Sequence, residues 1–482
     1  MSYQRFTKDI GIISLTQLVI FLKGLIALPI IAKLLGAENY GVWEQLGVTL
    51  SLVTLAATLG LPYTLVRFLA AEKDKKEIQD GIYSVLTIVF AVVLVISSGI
   101  FLFSASISSF FGNGKVLVQI LAFAIIFDCL NLVFLGIFRA FRQIKKYSCF
   151  MIFQSLGEVG LLAATVLLGY GMFGAVLSLL IIRLINFFIM GGYIIKKIGV
   201  KVPNFSKTKE YLKFGLPTVA SDISFWVVQS SDRYLIGSFL GVIYVGYYAP
   251  AYIIGSIVVF FIGPFSLVLP IVLSKFFDEN KISDIKTYLK YSLKYFLMMA
   301  IPSAFGLSIL SKQLLTIFST SEIASNAYFI TPFIVLSILL YGICDIFTQI
   351  IALKKKTKIT GSIWIGAAFL NFGLNLIFIP KFGIIGAAIT TFFAYAFAFI
   401  LTWYYSFREF QFEIDWKFII KSVFASILMT LFIFRFSPMG LWQTIIAIVS
   451  GALLYGILIF LLRGFNEREF EFLKGLFGKN KL

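Results

Sequence analysis

The sequence predicts an all-α polytopic membrane protein of about fourteen transmembrane helices, arranged as two six-helix lobes related as parallel repeats plus two accessory helices. Three observations predict it. The 482 residues are 60% hydrophobic and only 13% charged, with a mean hydropathy of +0.96, whereas a soluble domain is about half apolar and about a quarter charged. Fourteen apolar stretches each approach the ~20 residues that cross a bilayer. Basic residues gather in alternate gaps between those stretches. A core in water could not hide this much apolar surface, so a soluble enzyme is excluded. The 11 prolines and 38 glycines are too few for a disordered or fibrous chain.

In chain order the stretches are 10–35, 42–66, 82–110, 116–138, 148–169, 171–195, 212–239, 242–272, 290–311, 327–353, 359–380, 382–406, 417–436 and 441–462. The first follows a short basic head, Arg5 and Lys8, but it is too long for a signal-peptide core and has no small-x-small cleavage site. It is a span. Pro29, Pro62, Pro217, Pro264, Pro270, Pro302 and Pro332 lie within or near spans, where each frees a backbone carbonyl that protein or cavity water must satisfy.

The excess of 41 basic over 23 acidic residues is a topology signal. The amino terminus, alternate loops and carboxyl tail, with adjoining span ends, hold 33 of the 41; the opposite loops hold five, and Lys23, Arg183 and Arg233 fall inside spans. Clusters such as Arg67-Lys73-Lys75-Lys76, Arg139-Arg142-Lys145-Lys146 and Lys354-Lys355-Lys356-Lys358 therefore mark the cytoplasmic face, and both termini with it. They touch anionic lipid, and no nucleic-acid partner is expected. Trp43 and Trp442 fall at outer ends, Trp403 and Trp416 at inner ends, as an aromatic belt requires.

The two halves echo each other. Leu35-Gly36…Tyr40-Gly41…Trp43 matches Leu240-Gly241…Val245-Gly246…Tyr248, and Tyr170-Gly171-x-x-Gly174-Ala175 matches Phe382-Gly383-x-x-Gly386-Ala387. Six helices per unit is an even number, so both units enter from the same side, with substrate expected between them. This divides the chain into an N-lobe (1–195), a cytoplasmic linker (196–211), a C-lobe (212–407) and accessory spans with the tail (408–482).

Lys23 lies about thirteen residues into the first stretch, roughly 20 Å at 1.5 Å per residue, too deep to snorkel. Arg183 lies near the middle of the sixth and Arg233 in the outer half of the seventh. Such charges cost at least about 2.5–3.5 kcal/mol in lipid, so they face the interior or a wet cavity. Two readings stay open. As unpaired cavity cations they would bind an anion, phosphate above all, and could be removed without loss of stability. As structural pairs, Arg233 would use Asp232, and Asp128, Glu158, Asp222 or Asp345 would serve as long-range partners; Asp222 or Glu158 could also couple to an ion. Histidine is absent, and Cys129, Cys149 and Cys344 suggest neither disulfides nor a metal site. No G-x-x-x-x-G-K-[ST] is present, and Phe111-Gly112-Asn113-Gly114-Lys115 is far from it. No cofactor and no catalytic residue is expected.

Several segments carry a family resemblance. Leu34-Leu35-Gly36-Ala37-Glu38-Asn39-Tyr40-Gly41-Val42-Trp43 resembles the first outer loop of the prokaryotic polysaccharide-transporter (O-unit flippase) family, within the multidrug/oligosaccharidyl-lipid/polysaccharide exporter superfamily. Gly60-Leu61-Pro62…Val66-Arg67-Phe68 is similar to its second-span ending, and Gly136-Ile137-Phe138-Arg139-Ala140-Phe141-Arg142 to its fourth-span ending. Asp232-Arg233-Tyr234-Leu235-Ile236-Gly237, followed by Val245-Gly246-Tyr247-Tyr248, resembles its seventh-to-eighth-span signature. The resemblance implies a V of two lobes around a basic cavity open to alternate faces. It also implies a lipid-diphosphate-linked oligosaccharide cargo, moved outward across the cell membrane toward glycan polymerase or ligase machinery. Two alternatives remain: a multidrug/cation antiporter of the same superfamily, and a non-transport scaffold for polysaccharide synthesis.

Overall fold

The computed structural model describes residues 3–70, 72–112, 114–465 and 469; side chains are described from Asp9 onward, Ile10 excepted. The side chains of the basic head, Arg5 and Lys8, are outside the described set, and Asn113 of the Phe111–Lys115 turn and the tail from Phe470 lie outside the described residues. The apolar stretches form helices because intrahelical bonding is the way a lipid-facing segment satisfies its backbone. They run α1 (Tyr3–Ala57), α2 (Leu61–Leu69), α3 (Lys75–Leu102), α4 (Ser104–Ser108), α5 (Lys115–Ala140), α6 (Ile144–Leu167), α7 (Gly171–Ile198), α8 (Thr208–Phe239) and α9 (Val242–Gly255). There follow α10 (Val259–Asp278), α11 (Ile282–Ile309), α12 (Ser311–Phe318), α13 (Ser321–Ala327), α14 (Thr331–Leu353), α15 (Thr357–Phe382), α16 (Ile384–Glu409), α17 (Trp416–Phe436) and α18 (Gly440–Leu461).

Among the described residues, 12 helical segments are long and apolar enough to cross a membrane. The first, Gly11–Ala57, contains most of two expected spans, divided at Gly36. Helix α8 is too polar along its length to fall in that set, yet its 32 residues reach roughly 48 Å at 1.5 Å per residue. Counting both gives about fourteen spans. The chain is an all-helical, multi-pass membrane protein.

The elements differ from the sequence expectation in three places. The second span breaks at Leu59-Gly60, both at positive φ, and resumes as α2, so Pro62 starts a helix there. Pro332 likewise sits in the first turn of α14. A first-turn proline forfeits no intrahelical bond, so neither residue is a kink. The eighth span is broken by a 3₁₀ turn, Ser256–Val258, between α9 and α10, which carry Pro250, Pro264 and Pro270.

The repeat glycines share backbone conformations that L side chains avoid. Gly36 and Gly241 have φ of 84° and 104°, and Gly171 and Gly383 have 56° and 65°. The next repeat pair meets face to face. A Cβ on Gly41 would fall on the carbonyl oxygen of Val242, and one on Gly246 on that of Ala37. Gly41→Ala or Gly246→Ala is therefore expected to destabilise by about 1–3 kcal/mol. Thermal unfolding in detergent checks this against Gly160→Ala, whose site has nothing within 4 Å. Equal melting temperatures for all three variants would refute the contact.

The described helices fall into two compact units. One comprises the chain up to Ile253 with 318–323 and 364–394; the other comprises 254–317, 324–363 and 395 onward. In the first, α5 is flanked by α3 and α7, and α6 packs on both α1 and α7. Its core includes Leu46, Leu61, Val85, Leu121 and Val133. In the second, α11 packs on α14 and α17.

Candidate functional site

The first unit encloses a cavity of about 350 Å³ within the membrane-spanning helices. Four helices deliver its charges: Lys23 and Glu44 from α1, Asp128 from α5, Glu158 from α6 and Arg183 from α7. The packing of α6 on α1 and α7 brings Glu158 between the two cations. Its Oε2 lies 3.3 Å from Lys23 Nζ and 3.6 Å from Arg183 Nη1. The Arg183 Nε donates to Asp128 Oδ1 at 2.7 Å, and its Nη1 donates to the Leu179 carbonyl at 3.1 Å. Thr54 Oγ1 donates to the other Asp128 oxygen at 3.1 Å. The Asn131 amide, donating to the Arg183 carbonyl at 2.9 Å, ties α5 to the same turn of α7.

This arrangement departs from the reading of Lys23 and Arg183 as unpaired cations. Both are paired, and the pairs link residues 135 and 55 positions apart in sequence. Bare charges in such a site would carry a desolvation cost of several kcal/mol each. The cavity holds two cations against three carboxylates. Accessibility is uneven: the Lys23 side chain is 31% exposed, those of Arg183 and Glu158 only 6% and 4%. Lys23 is therefore the more accessible of the two cavity cations.

Arg233 does not line this cavity. Its Nη1 lies 2.9 Å from Asp232 Oδ1, and its guanidinium carbon sits 4.1 Å from the centre of the Tyr252 ring. Tyr248 donates to the second Asp232 oxygen at 2.6 Å, so the carboxylate is held from two sides. The Gln45 amide donates to the Arg233 carbonyl at 3.4 Å, joining α1 to α8. Asp345 belongs to the second unit and accepts from Ser266 Oγ at 2.6 Å. Asp222 lines a second cavity of the first unit, about 530 Å³, together with Asp128.

Several polar residues escaped the sequence reading. Glu44, accepting from the Tyr40 hydroxyl at 3.1 Å, is a carboxylate just inside an apolar stretch, a signal that was present. Trp226 and Gln229 of the second cavity lie in the middle of the seventh stretch, far from either belt. Lys294 is a further buried cation: it pairs with Glu469 at 2.7 Å and Asp415 at 3.5 Å. Its position near the inner end of a span made it look like a topology lysine.

The profile of the family described as "Polysaccharide biosynthesis protein" matches residues 6–277, and that of MatE matches 217–377. A curated relative, the probable low-salt glycan biosynthesis flippase Agl15 of Haloferax volcanii, is 24% identical over 459 residues, covering 91% of this chain and 92% of its own. The solved structure of the lipid II flippase MurJ in an inward closed conformation superposes with a TM-score of 0.77 at 21% identity, over 93% of this chain and 98% of that one. An inward-facing multidrug resistance MATE transporter follows at 0.69 and 18% identity, over 82% and 97%. At these identities the structural likenesses establish the fold.

Proposed function

The chain belongs to the polysaccharide biosynthesis protein family of the multidrug/oligosaccharidyl-lipid/polysaccharide exporter superfamily, and on that premise we propose that it flips a lipid-diphosphate-linked oligosaccharide from the inner to the outer leaflet of the cell membrane. It is a transport protein and not an enzyme. The observation that carries the reading is the Lys23–Glu158–Arg183–Asp128 network in a membrane cavity. Guanidinium and ammonium are the donors a diphosphate takes, the guanidinium in bidentate fashion. Glu158 and Asp128 hold both cations in place while the cavity is empty; the diphosphate then competes with them, entering by way of Lys23. In this reading residues 1–195 and 212–407 act as repeat-related lobes joined by 196–211, and 408–482 is accessory. Arg233, paired with Asp232 and tied to α1 through Gln45, takes a structural role in this reading, and delivery is to glycan polymerase or ligase machinery.

A strain deleted for the protein tests this directly. Its lipid extracts, read by mass spectrometry, are expected to accumulate a lipid-linked glycan while surface glycan falls. The excess of cavity carboxylates favours a second reading, a cation antiporter. Normal lipid-linked pools together with new sensitivity to cationic drugs would select that one.

The proposal places both termini in the cytoplasm. With Cys129, Cys149 and Cys344 replaced, single cysteines at Ser321 and Met439 are expected to react with an impermeant maleimide added to intact cells, and cysteines at Lys76 and Lys356 only after lysis. The reverse pattern would invert the topology.

A further inference from the structure

The second cavity of the first unit has a different chemistry from the first. It shares Ser51 and Asp128 with the charged cavity, so the two adjoin along α1 and α5. Its volume of about 530 Å³ falls within the ~300–1,000 Å³ typical of small-molecule sites. The lining combines aromatic rings, Trp226 and Phe225 of α8 with Tyr63 and Tyr147, with the polar groups Gln229 and Asp222 and the cation Arg139. Trp226 is the informative residue. It sits 18 residues from the start of α8 and 13 from its end, so no interfacial belt accounts for it. A tryptophan serving only as core packing would be buried, whereas this one is partly exposed. Its indole N–H donates to Ser51 Oγ at 3.0 Å, which fixes the ring against α1. Phe225 is braced edge-on by Trp364 at 5.1 Å between ring centres.

A pyranose has an apolar C–H face and a rim of hydroxyls that both donate and accept. A fixed aromatic ring covers the first, and an amide and a carboxylate two turns apart on one helix can satisfy the second. We propose that this cavity is the subsite for the sugars nearest the diphosphate, with Trp226 as the stacking platform and Gln229 and Asp222 as residues that select among hydroxyl patterns. The inference rests on the flippase reading and assigns the glycan a place beside the diphosphate of that reading.

The test compares two ligands on the full chain in nanodiscs: polyprenyl diphosphate without sugar, and the lipid-linked glycan purified from the deletion strain. Trp226→Leu is expected to weaken the glycan-bearing ligand about tenfold, the size of a lost aromatic contact, and to leave polyprenyl diphosphate unchanged. Trp226→Phe is expected to restore most of the difference, which a fold defect would not do. Equal weakening of both ligands, or of neither, would overturn the subsite while leaving the flippase reading intact. If the wild-type protein binds neither ligand, the flippase reading falls and the subsite with it.

Discussion

Arg183→Ala is expected to abolish transport and to cost most of the folded protein. The guanidinium is 6% exposed and compensates Asp128 at 2.7 Å and Glu158 at 3.6 Å. Its loss leaves Glu158 with Lys23 but strips Asp128 of its cation, leaving it the Thr54 hydroxyl as its side-chain partner among the described residues. Removing one partner of a buried pair costs about 3–5 kcal/mol, a large fraction of any protein's stability. Adding Asp128→Asn should recover folded yield in detergent, because it removes the stranded charge; transport should stay absent, because the diphosphate ligand is gone. Arg183→Ala with wild-type thermal stability would mean the pair carries no structural weight. The sequence alone predicted that outcome for an unpaired cation, and the observed pairing reverses it.

The second large effect is on the driving force. A diphosphate carries about two negative charges, each worth roughly 2.3 kcal/mol per 100 mV across the full field. With the interior negative, outward movement gains at most about 4–5 kcal/mol, on the order of a thousandfold in the leaflet ratio. Cavity cations that travel with the empty carrier reduce this ceiling. In proteoliposomes holding a potassium–valinomycin potential, outward flipping should accelerate with an inside-negative potential and slow when its sign is reversed. Flipping indifferent to that sign, yet dependent on a sodium or proton gradient, would assign the drive to ion exchange instead.

What the sequence revealed tracks what is local. Hydropathy and charge counting located the spans because membrane insertion is decided segment by segment. The repeat was legible because Gly36 and Gly241 need the same left-handed backbone, and Gly41 and Gly246 the same close approach. The depth of Lys23 and Arg183 marked them as costly, again from position alone. Their partners were not legible. Lys23 meets Glu158 across 135 residues, a pairing fixed by how α6 packs between α1 and α7. Lys294 was misjudged for the same reason, since Glu469 reaches it from beyond α18. Asp232 and Arg233 adjoin in sequence and do pair, but nothing local shows that Tyr248 and Tyr252 close around them and keep Arg233 out of the cavity lining.

The central claim is that the charged cavity carries a lipid diphosphate across the membrane. The most direct measurement is flipping of a fluorescent polyprenyl-diphosphate oligosaccharide in proteoliposomes, read by quencher access to the outer leaflet. The wild-type protein is expected to equilibrate the lipid between leaflets, and a Lys23→Gln variant that reconstitutes at the same level should be slowed to near the rate of protein-free vesicles. Equal flipping by both proteins, or none by the wild type under either sign of the potential, would contradict it.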